Sequence, residues 1–277
     1  MTIVRVAAVG HAEHEFRLVA TDVDGTIASG YPPASSQRTA DVLQALDGTG
    51  VTVVLVTARP PRSVRPIARR LGCRGLAICA NGALVYDPAT DCVVRDYSLD
   101  PDTARQIVEA LRRELPDIAF AVEAGVRFGH EPAYVPGEPP PPDTLIAEVE
   151  QLIATPMAKL LARHPSYDTE TLIEIARHAV GDIAPVHNSG GRRLLEFSAP
   201  GVSKAMALKH LAADLGVPAE AVVAFGDMPN DIPMLAWAGR GVAVANAHPD
   251  LLAVADDVCG PCDRDGVADY LNELFPM

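Results

Sequence analysis

The sequence predicts an α/β protein in which a parallel-sheet core carries a smaller inserted α+β unit. Apolar runs that read as buried strands alternate with segments of helical periodicity in the first part of the chain. The strands are predicted at 18–21, 51–56 and 76–79, and the helices at 37–46 and 63–71. This alternation is typical of a Rossmann-like parallel sheet with right-handed crossovers. A hairpin and a mixture of helices and short strands follow before the regular alternation resumes, which indicates an insertion.

The insertion divides the predicted core into two segments. We predict a catalytic core at 1–84 and 193–277, with 1–16 as an N-terminal extension, and an inserted α+β domain at 85–192. About a hundred residues is enough for such a domain. Between 84 and 197 the pattern predicts a hairpin at 84–94, strands at 118–122, 126–128, 157–162, 183–187 and 194–197, and helices at 103–115, 145–152 and 169–180. The returning core is predicted to hold helices at 204–215, 232–238 and 267–274, and strands at 221–225, 241–245 and near 258.

Composition narrows the functional class. The 277 residues are 48% hydrophobic and carry a formal net charge of −13, so nucleic acid and anionic membrane surfaces are disfavoured as partners. No apolar run reaches the length of a membrane span, and the start of the chain does not resemble a signal peptide. Five cysteines do not form a disulfide framework. We expect a cytoplasmic enzyme acting on a small molecule, and the oligomeric state stays open.

Polar side chains follow the ends of predicted strands. Asp22 and Asp24 come directly after the first strand, and two residues at i and i+2 of an extended segment point the same way. Thr57 follows the second strand, and Asp227 and Asp231 follow the strand at 221–225. Ligands of parallel sheets bind beyond the carboxyl ends of the strands. Taken singly, each of these residues reads equally well as part of a turn or a helix cap; together they predict one site.

Phosphoryl transfer explains this set of residues. Asp22 is the predicted nucleophile, because a carboxylate can form an aspartyl-phosphate. Asp24 is the predicted acid that protonates the leaving oxygen and then activates water. Lys204, at the start of a helix, and the Thr57 hydroxyl would neutralise and hold the phosphoryl oxygens. Mg²⁺ would bind Asp22, Asp227 and the backbone carbonyl of Asp24, because it prefers octahedral oxygen ligands; Asp231 would orient a water beside the ion.

The chain resembles the haloacid dehalogenase superfamily of phosphohydrolases from about Arg17 onward. Four segments are similar to its four motifs: 22–26 (DVDGT), 56–59 (VTAR), 201–204 (GVSK) and 226–231 (GDMPND). The insert between the second and third motifs resembles the cap of the large-capped, Cof-type branch, subfamily IIB, whose lesser signatures resemble 78–83 and 265–268. Ala58 and Ala80 depart from the pattern, since members often carry Gly and Ser there.

The resemblance implies a magnesium-dependent hydrolase of a small phosphate monoester, such as a sugar phosphate or a phosphorylated cofactor. It adds Ala58 and Asn230 to the predicted phosphate-binding residues. Specificity would then lie in the inserted cap, which closes over the site. The candidates for contact with a polar leaving group are Arg127, Glu131, Lys159 and Arg192, with Tyr134, His164 and Arg193 as further members of the set.

Several alternatives remain open. A phosphomannomutase-like reaction uses the same first motif, although no second sugar-phosphate site is recognisable. The pair Cys259 and Cys262 has the spacing of thioredoxin-like redox sites, or of half a zinc site. In a redox site of that kind the first cysteine lies at the N-terminus of a helix. This pair instead follows the last predicted strand, which disfavours the redox interpretation. A phosphate-sensing module without catalysis is disfavoured because every acid is retained, and His11 with His14 is a weak metal-binding pair.

Overall fold

Two β-sheets organise the part of the chain that the computed structural model describes, which comprises residues 15–30, 34–181, 183–188 and 192–276. One sheet has eight strands and the other has six. The predicted α/β class is therefore confirmed. The pair His11 and His14, and nearly all of the predicted N-terminal extension, lie outside the described residues.

Apart from the strand Leu145–Ile146 and the helix Pro249–Leu252, which were not predicted, the elements follow one another in the predicted order, with shifts at their ends. The strands are β1 (Leu18–Thr21), β2 (Thr52–Val56), β3 (Ala77–Cys79), β4 (Leu84–Asp87), β5 (Cys92–Asp96), β6 (Ala119–Ala124), β7 (Arg127–His130), β8 (Leu145–Ile146), β9 (Lys159–Arg163), β10 (Val186–His187), β11 (Leu194–Phe197), β12 (Val222–Gly226), β13 (Arg240–Val244) and β14 (Asp257–Cys259). The helices are α1 (Gln37–Gly48), α2 (Pro61–Leu71), α3 (Pro101–Glu114), α4 (Val149–Leu152), α5 (Thr169–Val180), α6 (Lys204–Asp214), α7 (Ile232–Leu235), α8 (Pro249–Leu252) and α9 (Gly266–Leu274).

The eight-stranded sheet has the order β14-β13-β12-β1-β2-β3-β4-β5. Its strands are parallel from β14 to β3, and β4 and β5 extend it as an antiparallel hairpin. Every residue of β1 and β12 is buried, as expected for parallel strands covered on both faces. Because β1 lies between β12 and β2, the loops after these three strands meet at one edge. This edge is the crevice in which ligands of such sheets bind.

The six-stranded sheet has the order β10-β11-β9-β6-β7-β8. One face packs against α3 and α5 through a separate hydrophobic cluster that includes Phe120, Leu160 and Phe197. The opposite face carries the alternate residues of the same strands, as the period of two requires. Lys159 of β9 and Glu196 of β11 lie on that opposite face and are buried. This face contacts the loops that follow β2 and β3 in the larger sheet.

The structure corrects three of the predicted boundaries. The hairpin β4–β5 pairs with β3 and so belongs to the eight-stranded sheet, although the insert was predicted to begin at 85. β11 pairs with β9 and so belongs to the six-stranded sheet, although the core was predicted to resume at 193. The helix predicted at 145–152 is wrong in its first half, because Leu145–Ile146 forms β8 as an exposed edge strand parallel to β7. From sheet membership we propose that the insert comprises residues 97–197.

Within the described residues, no helix combines the length and the apolar character that a bilayer crossing demands.

Candidate active site

A buried lysine joins the first, third and fourth motifs. The Lys204 ammonium lies 2.6 Å from Asp22 Oδ1 and 2.7 Å from Asp231 Oδ1. Asp231 is fully buried and Lys204 is 2% exposed. Lys204 is the first residue of α6, and the Ser203 hydroxyl caps this helix by accepting from the Met206 N–H. The cap fixes where α6 begins, and so directs the lysine side chain toward Asp22.

Asp227 completes an acidic cluster beside this lysine. Oxygen atoms of Asp22, Asp227 and Asp231 lie within 4.8 Å of one another. The Thr26 hydroxyl lies 3.3 Å from both Asp22 Oδ2 and Asp227 Oδ1, and so links the two carboxylates. Asp231 Oδ2 accepts the backbone N–H groups of Asp227 and Met228, at 3.2 and 3.1 Å. Asp231 therefore holds the loop that carries Asp227.

The electrostatics of the cluster favour a bound cation. Burial raises the pKa of Asp22 to about 7 and that of Asp227 to about 8, and repulsion between the carboxylates adds to this effect. Burial also lowers the pKa of Lys204, but Asp22 and Asp231 more than reverse this, so its pKa is raised overall and it stays charged. One ammonium thus faces three carboxylates. Because a divalent ion would favour the ionised form of all three carboxyl groups, the raised pKa values and the all-oxygen donor set fit an ion such as Mg²⁺.

Asp24 forms an ion pair with Arg59 instead of contacting Lys204. Arg59 Nε donates to Asp24 Oδ2 at 2.7 Å, and Arg59 Nη2 donates to Asp24 Oδ1 at 2.8 Å. The Asp24 side chain is 37% exposed, unlike the buried Asp22. We predicted a shared pocket for the two acids without a partner for Asp24. The two carboxylates have different partners, since Asp22 contacts Lys204 and Asp24 contacts Arg59, although Asp24 still repels Asp22 and so helps to raise its pKa.

Thr57 directly follows β2 and keeps its hydroxyl hydrogen for a further partner. Its side chain is fully buried at the end of β2. The hydroxyl oxygen accepts the Arg59 backbone N–H at 3.1 Å, which leaves the hydroxyl hydrogen available for another partner. Asn230, also predicted to bind phosphate, donates from Nδ2 to Asn81 Oδ1 at 3.0 Å. This contact joins the fourth motif to the turn after β3.

Gly25 is packed directly against the cluster. Its φ is +80°, and a Cβ built there would lie 2.2 Å from Asp227 Oδ2. Only glycine adopts this conformation without strain and leaves room for the carboxylate.

We expect Gly25→Ala to lower kcat by about tenfold or more, because Asp227 must move. Gly125→Ala is the matched control, since Gly125 has φ +63° with no atom within 4 Å of its built Cβ. Steady-state kinetics of both variants check the prediction. A similar loss of kcat in the two variants would contradict it.

The predicted specificity residues are dispersed over the six-stranded sheet. Lys159 alone among the four main candidates has a described contact with the core, donating to the Ala58 carbonyl at 2.7 Å. Glu131 instead accepts the Phe120 N–H at 2.8 Å and pairs with Arg112, so it stabilises the sheet itself. Arg127 and Arg192 are exposed.

The three further candidates also make contacts within the six-stranded unit. The Tyr134 hydroxyl lies 3.3 Å from Arg163 Nε, His164 Nδ1 accepts the Ser166 N–H at 3.2 Å, and Arg193 donates to the Pro165 carbonyl at 2.7 Å. These contacts give each of them a structural role.

Two contacts between the sheets were not predicted. Arg62 of α2 pairs with the buried Glu123 of β6 through two hydrogen bonds, one of them 2.8 Å long. Glu196 Oε2 accepts from Asn81 Nδ2 at 2.6 Å, and Glu196 Oε1 lies 3.2 Å from Lys159 Nζ. Glu196 interrupts a largely apolar predicted strand and Glu123 directly follows one, and this was the only sign in the sequence of a buried acidic residue.

The geometry of Cys259 and Cys262 does not favour redox chemistry. Both thiols are free, and burial raises the pKa of each to about 12, so little thiolate is present near neutral pH. Cys259 ends β14 and is not at a helix N-terminus. The Cys262 N–H donates to Asn246 Oδ1 at 2.7 Å, and Asn246 Nδ2 donates to the Gly25 carbonyl at 2.9 Å. The loop therefore supports the first motif.

Comparison with known proteins agrees with this arrangement. Residues 19–271 match the family described as haloacid dehalogenase-like hydrolase. The chain is similar to the 5-amino-6-(5-phospho-D-ribitylamino)uracil phosphatase YitU of Bacillus subtilis (strain 168), with 25% identity over 271 residues, covering 94% of this chain and 98% of YitU. It is similar to the pyridoxal phosphate phosphatase YbhA of Escherichia coli (strain K12), with 28% identity over 283 residues, covering 92% and 97%.

The fold comparison gives the same result. A haloacid dehalogenase-like hydrolase from B. subtilis has a TM-score of 0.80 to this structure at 25% identity, covering 94% of this chain and 100% of that one. The family match spans nearly all of both predicted domains, and the relatives are named phosphatases. The family predicted from the four motifs is confirmed: the chain belongs to the haloacid dehalogenase-like hydrolases and is an enzyme of that family.

Proposed function

We propose that the enzyme is a magnesium-dependent phosphatase that hydrolyses a small phosphate monoester through an aspartyl-phosphate on Asp22. The observation that carries the proposal is the contact of Lys204 with both Asp22 and Asp231, which unites three motifs around one buried carboxylate. Bound Mg²⁺, held by Asp22 and Asp227, would supply positive charge beside the phosphoryl oxygens. YitU and YbhA are named for phosphorylated small molecules, which supports the substrate class.

The proposed reaction has two displacements. In the first, a carboxylate oxygen of Asp22 attacks phosphorus, the bond from phosphorus to the ester oxygen breaks, and Asp24 gives its proton to the departing oxygen. In the second, Asp24 takes a proton from water, the water oxygen attacks phosphorus, and the bond from phosphorus to the Asp22 oxygen breaks, which frees inorganic phosphate and restores the Asp22 carboxylate. Lys204 and Thr57 hold the phosphoryl group in both displacements.

The Arg59 pair has a consequence for Asp24. Both carboxylate oxygens accept from Arg59, so the acid can serve the leaving oxygen only after at least one of these bonds is exchanged. We propose that the bound ester displaces one of the two Arg59 hydrogen bonds, so that the freed Asp24 oxygen can contact the leaving oxygen. Until the ester binds, Arg59 holds Asp24 in place.

We expect Asp24→Asn to slow hydrolysis of alkyl phosphates by roughly 10²- to 10⁴-fold, the range typical of general acid catalysis. An aryl phosphate with a good leaving group should lose less, because its oxygen needs no proton in order to depart. Comparison of kcat/KM for the two ester types checks the prediction. Equal losses for both would show that Asp24 is not the acid.

We propose that the insert acts as the cap over this site. The composition favours a cytoplasmic enzyme that acts on a small molecule.

The test of the function is a panel of phosphorylated metabolites assayed for phosphate release with magnesium and again with EDTA. We expect magnesium-dependent release from one class of monoester. Activity that persists without the metal, or transfer of phosphate to a second sugar position, would contradict the proposal.

A further inference from the structure

A buried lysine crosses from the six-stranded sheet to the second motif. Lys159 begins β9, and its side chain is 4% exposed. Its ammonium donates to the Ala58 carbonyl at 2.7 Å and lies 3.2 Å from Glu196 Oε1. Two of its three N–H donors are therefore engaged, one of them by the backbone of the larger sheet's catalytic edge. This geometry differs from a side chain held ready for a leaving group.

The peptide group that Lys159 contacts is also connected to Thr57. The Ala58 carbonyl and the Arg59 N–H belong to one planar peptide unit and point in opposite directions. On its other side this unit donates to Thr57 Oγ1 at 3.1 Å. A rotation of the peptide plane would therefore break both hydrogen bonds. Lys159 fixes the plane, and the plane in turn fixes the Thr57 hydroxyl.

A second connection reaches Thr57 from the same sheet. Asn81 Nδ2 donates to Glu196 Oε2 at 2.6 Å, and the Asn81 N–H donates to the Thr57 carbonyl at 3.1 Å. Asn81 has φ +59° and Ala80 has φ +53°, so two successive residues other than glycine hold the left-handed conformation. Such strain persists where neighbouring contacts impose it. Both the hydroxyl and the carbonyl of Thr57 are thus connected to the six-stranded sheet.

We propose that Lys159 is a positioning residue that couples docking of the six-stranded sheet to phosphate binding. When the sheet is docked, Lys159 and Glu196 hold the Ala58 peptide and the turn at Asn81, and Thr57 presents its hydroxyl to the phosphoryl group. When the sheet is displaced, the peptide is free to rotate and the hydroxyl loses its orientation. The inference rests on the proposed phosphatase function. It assigns Lys159 to support of the phosphoryl-binding site, whereas the sequence suggested contact with the leaving group.

A double-mutant cycle tests this coupling. The readout is the inhibition constant of inorganic phosphate against hydrolysis of a small aryl phosphate, with magnesium present. We expect Lys159→Met and Thr57→Val each to weaken phosphate binding roughly tenfold, the size of one hydrogen bond to a charged group. The double variant should bind phosphate about as weakly as Thr57→Val alone. Lys209→Met, an exposed lysine of α6, is the control and should match the wild type.

Two results with these variants would overturn the inference. Multiplied losses in the double variant would show that Lys159 acts independently of Thr57. A Lys159→Met enzyme that is impaired only toward bulky metabolite esters would assign the lysine to the leaving group. If thermal unfolding shows that Lys159→Met does not fold, Glu196→Gln replaces it in the cycle with the same expectation of non-additivity. A wild type without magnesium-dependent hydrolysis would refute the proposed function itself, which is distinguishable from an active enzyme without the coupling.

Discussion

Asp22→Asn is expected to abolish magnesium-dependent release of phosphate, lowering kcat by roughly 10⁴-fold or more, as loss of a catalytic nucleophile does. An amide cannot form the acyl phosphate, and it also replaces the carboxylate that lies 2.6 Å from Lys204. The fold should survive, because Asn has almost the same shape as Asp. Phosphate release from an aryl phosphate measures the loss, and thermal unfolding shows that the variant is folded.

The control for this variant is Asp143→Asn, which removes one charge from an exposed residue of the six-stranded unit. It should retain full activity. An Asp22→Asn enzyme with near-normal turnover would remove Asp22 from the reaction and with it the covalent mechanism.

Lys204→Met is expected to lower both activity and stability. The buried ammonium is the positive partner of Asp22 and Asp231, and its removal takes this partner from both carboxylates. Breaking a buried ion pair from one side costs about 3–5 kcal/mol of unfolding free energy. Loss of a preorganised charge at the phosphoryl group should lower kcat by roughly 10²- to 10³-fold. Denaturant unfolding and steady-state kinetics measure the two effects.

A compensating variant separates the two effects of Lys204. Lys204→Met combined with Asp231→Asn also removes one carboxylate that had lost its ammonium partner. The free energy of unfolding should therefore rise part of the way back to the wild-type value. Activity should stay low, because the positive charge at the phosphoryl group is still missing. Recovery of activity together with stability would mean that Lys204 serves the fold alone.

The meeting of the four motifs could be predicted from sequence because it follows from sheet topology. Asp22, Thr57 and Asp227 each follow a strand, and β12, β1 and β2 are neighbours whose carboxyl ends share one edge. The position of Lys204 depends in addition on α6 beginning at that edge, where Ser203 caps the helix. The strands β1 and β11 and the helix α5 were predicted with the bounds that the structure gives.

The contacts between the two sheets could not be predicted in the same way. Whether Lys159 reaches Ala58 or faces solvent depends on how one sheet docks on the other, which no periodicity encodes. Glu131 was predicted to contact a leaving group, but in the structure it accepts the Phe120 N–H. In the sequence, an acidic residue with this role cannot be distinguished from one that binds a ligand. The Asp24 ion pair with Arg59 was missed because the two residues come from different loops.

The stereochemical course at phosphorus tests the central claim most directly. An aryl thiophosphate made chiral with two oxygen isotopes would be hydrolysed by the wild type in water that carries a third isotope. Two in-line displacements, the first by Asp22 and the second by water, each invert the phosphorus centre. We therefore predict overall retention of configuration in the thiophosphate product. Inversion would contradict the account, because it would mean that water attacks the ester directly and that no aspartyl-phosphate forms.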